Sequence, residues 1–150
     1  MKRAVFPGSF DPITLGHCEI IVKACEIFDE VIVSVGNNTK KKYRFSIDQR
    51  LKFISQEFEG NANVFVEKYE GLTVDFCKSK NVKHMIRGLR NPADFEFEKK
   101  IALFNKSLEN TETIFFLTSP NNSFISSSMV REIMENGGNY KKFVPNSVTI

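Results

Sequence analysis

The sequence predicts an α/β fold, a doubly wound, five-stranded parallel sheet with helices on its flanks. Three observations lead there. Short apolar runs alternate five times with longer runs of helical period, an order that right-handed crossovers turn into a parallel sheet. The run Val31-Ile32-Val33-Ser34-Val35 is β-branched and apolar on both faces, as a strand covered by helices on each side must be. The first apolar run (Ala4, Val5, Phe6) stops at Pro7-Gly8, and a turn-rich loop leads to a helix start. Strand, glycine-bearing loop and helix N-terminus together make an anion site, because free N–H groups and the helix dipole both point at the ligand.

Strands are expected at residues 3–6, 30–35, 62–66, 83–87 and 113–117, and helices at 17–28, 46–58, 71–80, 92–109 and 126–136. A ten-residue loop is expected between the first strand and the first helix. That helix carries its apolar set at Ile20, Ile21, Ala24, Cys25 and Phe28, a 3.6-residue spacing. The second helix opens on Ser46 with Gln49 three residues on, the signature of a capping box. Leu72, Val74 and Phe76 cannot all face a core if their segment is helical, so part of it is expected to line a pocket. Pro92 at a helix start, with Asp94 and Glu96 in the first turn, is ordinary helix-entry chemistry. The residues after Gly137-Gly138 read as a short helical turn and coil.

Length and composition narrow the class. A chain of 150 residues is expected to be one domain, residues 1–150, with a sizeable core. A net charge of +3, from 21 basic and 18 acidic residues, is too mild to argue for nucleic acid or membrane. It suits positive charge gathered in one cleft. No apolar run approaches the ~20 residues of a membrane span, and the start lacks the apolar core of a signal peptide. Cys18, Cys25 and Cys77 form no framework and read as reduced thiols of a cytoplasmic protein, with Cys18 and Cys25 as small core residues of the first helix. His17 and His84 are the only histidines, and no metal-ligand spacing joins them to the cysteines.

In a doubly wound sheet the ligand sits beyond the carboxyl ends of the strands, so the residues just past each strand carry the functional signal. After the first comes Gly8-Ser9-Phe10-Asp11-Pro12, then Thr14-Leu15-Gly16-His17. After the second comes a polar loop with Lys40, Lys41, Lys42 and Arg44, either a solvated charge run or a phosphate-facing one. After the fourth, Arg87 and Arg90 flank Gly88 and Leu89, and arginine offers two-pronged, permanent recognition of phosphate. Glu98 lies beyond the first turn of the next helix, either solvated or functional. After the fifth, Ser126, Ser127 and Ser128 open a helix, as caps, as an anion cradle, or both.

The first of these clusters resembles the T/H-x-G-H signature of the nucleotidyltransferase superfamily, whose fold is Rossmann-like. With Ile86-Arg87-Gly88-Leu89-Arg90 and the nearby Asp94-Phe95-Glu96-Phe97-Glu98, and with Ser123-Phe124-Ile125-Ser126-Ser127-Ser128, the chain resembles the phosphopantetheine adenylyltransferase family along most of its length. The resemblance implies transfer of AMP from ATP to 4′-phosphopantetheine by direct in-line attack, with Mg²⁺ as cofactor and a homohexamer as the assembly. It implies catalytic roles for His17, Lys41 and Arg90, with the choice among Lys40, Lys41 and Lys42 open. ATP contacts are implied for Ser9, Phe10, His17, Gly88, Leu89, Arg90 and Glu98, and for Asn122, Ser123, Phe124, Ile125, Ser126, Ser127 and Ser128. Acceptor contacts are implied for Ser9, Lys41, Thr73 and Arg87. Against the family pattern, Ser9 stands where threonine is usual, Phe97 where tyrosine is common and Thr73 where a larger apolar residue sits. The family's last helix is shortened or missing. A relative using CTP or another acceptor would carry the same first motif.

Overall fold

The computed structural model describes residues 1–150. Five strands form one all-parallel sheet: β1 (Arg3–Gly8), β2 (Glu30–Gly36), β3 (Val64–Tyr69), β4 (His84–Leu89) and β5 (Glu112–Leu117), in the order β3-β2-β1-β4-β5. The connections are α1 (Leu15–Cys25), α2 (Ile47–Glu57), α3 (Thr73–Ser79) and α4 (Pro92–Glu109), and α5 (Ser127–Glu135) and a 3₁₀ turn (Tyr140–Lys142) come after β5. Alternate residues of the central strands face opposite sides, as the two-residue period requires. Ala4, Phe6, Val31, Val33, Val35 and Ile86 join a 20-residue core with α1, α2, α5 and the tail residues Val144 and Val148. Val5, Ile32 and Met85 join a smaller core of six with Val74 and Cys77 of α3 and Val82.

The strand order reverses between β1 and β4, and there the ladder fails. β1 pairs with β2 from Arg3↔Glu30 to Gly8↔Val35, yet it pairs with β4 only at Val5↔Met85. Pro7 has no N–H to offer, and its carbonyl accepts instead from Arg87 Nη1 at 2.9 Å. The strands therefore open a crevice at their carboxyl ends, where open α/β sheets bind ligands.

Several boundaries differ from expectation for local reasons. β1 runs on to Gly8, because pairing with β2 continues through Pro7↔Ser34. α1 starts at Leu15, because Thr14 caps it. The intervening loop is accordingly shorter than the sequence suggests. β3 starts at Val64 because Asn61 accepts from Asn63 N through its side chain and from Val64 N through its carbonyl, making a turn first. α1 stops at Cys25, and Phe28 reaches the core from the turn beyond it. α3 begins after Gly71, which sits at φ +79°, a conformation open to glycine. The capping box of Ser46 and Gln49 is formed as expected. At the start of α4 the cap is Asn91, which accepts from Asp94 N.

Candidate active site

Two clefts meet above the crevice. The larger, about 810 Å³, runs between the loop after β2, the start of α3 and one face of α4, past Lys41, Tyr69, Leu72, Thr73, Ala102 and Asn105. The smaller, about 280 Å³, lies between the start of α1, the end of β4 and the start of α5, with His17, Gly88, Arg90, Asn122 and Ser127 on its walls. Pro7, Gly8, Ser9, Arg87 and Glu98 line both. The wall between the clefts is thus the end of β1 together with one ion pair.

That pair is two-pronged. Arg87 Nε donates to Glu98 Oε2 at 2.9 Å and Nη2 to Oε1 at 2.6 Å. Glu98 is neither solvated nor a cap: only 9% of its side chain is exposed, against 32% for Arg87. Lys41 reaches the same wall from the β2 loop, with Nζ 3.4 Å from Ser9 Oγ. On the other side, Arg90 lies along the smaller cleft, its Nε 3.3 Å from Asp94 Oδ2.

His17 is the third residue of α1 and takes part in an unusual capping box. Thr14 Oγ1 accepts from His17 N, and His17 Nδ1 accepts from Thr14 N at 3.0 Å. With Nδ1 used as an acceptor, the neutral ring carries its proton on Nε2. Burial lowers the imidazole pKa from 6.5 to about 4, and the Arg87 and Arg90 guanidinium groups push the same way. The ring is therefore a neutral N–H donor at physiological pH. It rests edge-on to Phe10, with centroids 5.0 Å apart. Phe10 itself has φ +47° and is 2% exposed, a strained backbone held by a buried side chain. Its ring packs against His17 at the wall of the smaller cleft. Gly88 approaches α1 closely, for a Cβ there would lie 3.1 Å from Ile20 Cγ1.

The structure brings Ser9, Phe10, His17, Gly88, Arg90, Glu98, Asn122, Ile125, Ser126 and Ser127 to the smaller cleft, and Ser9, Lys41, Thr73, Arg87 and Glu98 to the larger. Leu89, Ser123, Phe124 and Ser128 line neither. Leu89 is buried, Phe124 packs edge-on to Phe143, and Ser128 Oγ lies 3.1 Å from Ser126 Oγ. Thr73 Oγ1 is 2.9 Å from Tyr69 Oη. Leu72 and Val74 both line the larger cleft, as expected of part of that segment, with Leu72 60% exposed and Val74 also packed into the smaller core.

A cytidylyltransferase-like family model matches residues 5–133. A phosphopantetheine adenylyltransferase of Flavobacterium psychrophilum is 52% identical over 150 residues, covering all of this chain and 99% of its own. One from Clostridium novyi is 46% identical over 149 residues, covering 99% of this chain and 92% of its own. The chain belongs to the phosphopantetheine adenylyltransferase family. The fold is also that of more distant structures. The nicotinic acid mononucleotide adenylyltransferase of Plasmodium falciparum, complexed with NaAD, superposes with a TM-score of 0.72 at 18% identity, over 97% of this chain and 92% of its own. A bifunctional NMN adenylyltransferase/ADP ribose pyrophosphatase of Francisella tularensis, complexed with AMP and a Mn ion, gives 0.71 at 18% identity, over 97% of this chain and 45% of its own.

Four residues that brace the site in this adenylyltransferase-family chain went unassigned in the sequence. Asp11, 3% exposed, accepts from Arg44 N and Phe45 N and ties the β1 loop to the entry of α2. Arg131 Nη1 donates to Asp11 O at 2.8 Å. Arg50 is buried at 1% exposure. Its signal was a basic residue on the stripe of Ile47, Leu51 and Ile54, where helical period expects an apolar one. Glu19 accepts from Ser119 N, Ser119 Oγ and Asn122 Nδ2 at 2.7–2.9 Å, so it holds the loop after β5 against α1.

Glu19 supports a pH prediction. Burial alone would raise its pKa, but Lys23, Asn122 and Ser119 outweigh that and hold it at about 2 instead of 4.5. A lowered carboxyl pKa contributes stability above pH 4.5 that is lost as pH falls from 4.5 towards 2. Urea titrations should therefore show Glu19→Gln losing less stability than the parent over that interval. At neutral pH, Glu19→Ala should cost on the order of 2 kcal/mol through its lost charged hydrogen bonds.

Proposed function

We propose that this enzyme transfers the adenylyl group of ATP to 4′-phosphopantetheine, forming dephospho-coenzyme A and pyrophosphate, with residues 1–150 acting as one nucleotidyltransferase domain. The observation that carries the reading is the thin shared wall. A two-anion transfer needs donor and acceptor held apart along their length but touching at the reacting atoms. Two clefts separated only by Pro7, Gly8, Ser9 and the Arg87–Glu98 pair meet that requirement.

ATP is assigned to the smaller cleft. Its phosphates would face the N-termini of α1 and α5, where free N–H groups and dipoles favour anions. The acceptor is assigned to the larger cleft, with its pantetheine arm along Leu72, Thr73 and α4 and its phosphate at Lys41 and Arg87. A phosphate oxygen of the acceptor attacks the α-phosphorus, and the bond from that phosphorus to the pyrophosphate oxygen breaks. Charge accumulates on the α-phosphoryl oxygens as the attacking and leaving oxygens align. His17 Nε2–H donates to one of those oxygens. Lys41 and Arg87 neutralise the attacking side, and Arg90 the departing pyrophosphate. No covalent enzyme intermediate is needed, and the Thr14 hydroxyl beside His17 is engaged as a helix cap.

Mg²⁺ is the cofactor we assign to this reaction. No three His, Cys, Asp or Glu side chains gather to form a metal cage. The carboxylates lining the smaller cleft are Asp94 and Glu98, and both already face arginines. This donor-poor site fits a cation held mainly by substrate phosphate oxygens and water, with Asp94 as a protein ligand at most. Such an ion would offset part of the triphosphate charge.

The reading includes a homohexamer. Phe97, Phe104 and Leu108 of α4, spaced seven and four residues apart, are 59–70% exposed, an apolar face suited to burial between copies. No helix is long and apolar enough to cross a membrane, and water-soluble substrates suit a cytoplasmic enzyme.

The test is product formation. Purified protein with ATP, 4′-phosphopantetheine and Mg²⁺ should release pyrophosphate and dephospho-coenzyme A in equal amounts, with CTP supporting far less turnover. Product from CTP alone, or none from either nucleotide, would overturn the assignment.

A further inference from the structure

Arg50 is a buried cation without an ion pair. No carboxylate lies within salt-bridge distance of it, and its Nε has no hydrogen-bond partner. Its neighbours on α2 are the core residues Phe53 and Ile54. Fold stability alone would favour an apolar side chain there, because desolvating a charge is costly. What the guanidinium does instead is join two loops. Nη1 donates to Ser9 O at 2.7 Å and to Gly36 O at 2.9 Å. Those carbonyls lie just beyond β1 and at the end of β2.

The same group shapes the β2 loop a second time. Its carbon lies 3.9 Å from the centroid of the Tyr43 ring, and Tyr43 Oη accepts from Asn38 N at 3.0 Å. The ring thus pins both ends of the segment that carries Lys41, and Lys41 Nζ lies 5.7 Å from its centroid. A planar cation is needed for this pattern. Both carbonyls are met by one nitrogen, which a lysine ammonium could imitate, but a lysine could not also stack flat on the ring.

We propose that Arg50 is a positioning residue for the transfer reaction, setting the gap between Ser9 and Lys41 on the acceptor side of the wall. The inference rests on the function proposed above, since it assumes that Lys41 meets the acceptor phosphate. Arg50 touches no substrate. It acts by holding two backbones at one spacing, and an error of about 1 Å in such a spacing can cost roughly 10²-fold in rate.

The experiment compares the parent with Arg50→Lys, Lys41→Ala and the double variant, by steady-state kinetics and by amide hydrogen exchange. Arg50→Lys is expected to lower kcat roughly 10- to 100-fold and to raise KM for 4′-phosphopantetheine, with KM for ATP little changed. In the Lys41→Ala background the same change should cost almost nothing further, because its effect passes through Lys41. Exchange should quicken over residues 37–43 and stay as in the parent over residues 88–91 and 126–130. A folded Arg50→Lys variant with parental kinetics, an equal loss for both substrates, or fully additive losses in the double variant would overturn the inference. If Arg50→Lys fails to fold, Tyr43→Leu cuts the same link and should give the same split between the two KM values; its absence would count equally against the inference. The exchange arm needs no turnover. An inactive parent with the expected exchange change would therefore refute the proposed reaction alone, and an active parent with unchanged exchange would refute the role of Arg50 alone.

Discussion

Replacing His17 with alanine should lower kcat by about 10²–10³-fold, the usual loss when one donor to a developing oxyanion is removed. KM for ATP should move little, because the bond strengthens chiefly in the transition state. The reason lies in the capping box. Thr14 N holds Nδ1, the proton sits on Nε2, and the ring sits where the strained Phe10 supports it. The pH profile sharpens the prediction. Because burial, Arg87 and Arg90 hold the imidazole pKa at about 4 rather than 6.5, any inflection of kcat near pH 6 should belong to the acceptor phosphate, whose second pKa is about 6, and should persist in His17→Ala. Stability has the opposite dependence on this group. A lowered histidine pKa means the unfolded chain binds the proton more readily, so stability falls as pH drops from 6.5 to 4. His17→Ala should flatten that part of the stability curve. A variant with near-parental kcat, or a parental inflection near pH 6.5 that His17→Ala abolishes, would show that a neutral imidazole is not the donor.

Breaking the wall from its two sides should give unequal results. Arg87→Met should destabilise the fold by on the order of 3 kcal/mol, because it leaves a carboxylate buried without its partner. Glu98→Gln should cost only about 1 kcal/mol, since the amide oxygen still accepts one hydrogen bond and the orphaned charge is the better solvated one. The asymmetry comes from exposure: 9% for the Glu98 side chain against 32% for Arg87. Arg87→Met with Glu98→Leu should recover part of the stability lost by the first change alone, and none of the activity. Urea denaturation of the four proteins measures the first effect, and pyrophosphate release the second. Equal destabilisation from either side would mean that the pair is solvated and is no wall between two clefts.

The local chemistry of this chain could be read without its structure wherever a residue acts through its own neighbours. Strand and helix alternation, the apolar Val31–Val35 run, the Ser46 capping box and the positions of His17, Lys41, Arg87 and Arg90 at strand ends all depend on spacing along the chain. What needed the tertiary structure was how groups from separate elements meet. Glu98 read as either solvated or functional until the crossover through α4 laid it on Arg87. Arg50 carried no assignment until packing placed it under the carbonyls of Ser9 and Gly36. The tautomer of His17 is set by a local bond to its own helix cap, but the suppression of its charge comes from burial and two distant arginines. Sequence thus determined which groups the chain brings to the carboxyl edge of its sheet. Only folding decided how they pair there, because charge pairing depends on distance through space and on exclusion of water, and neither is encoded in the order of neighbouring residues.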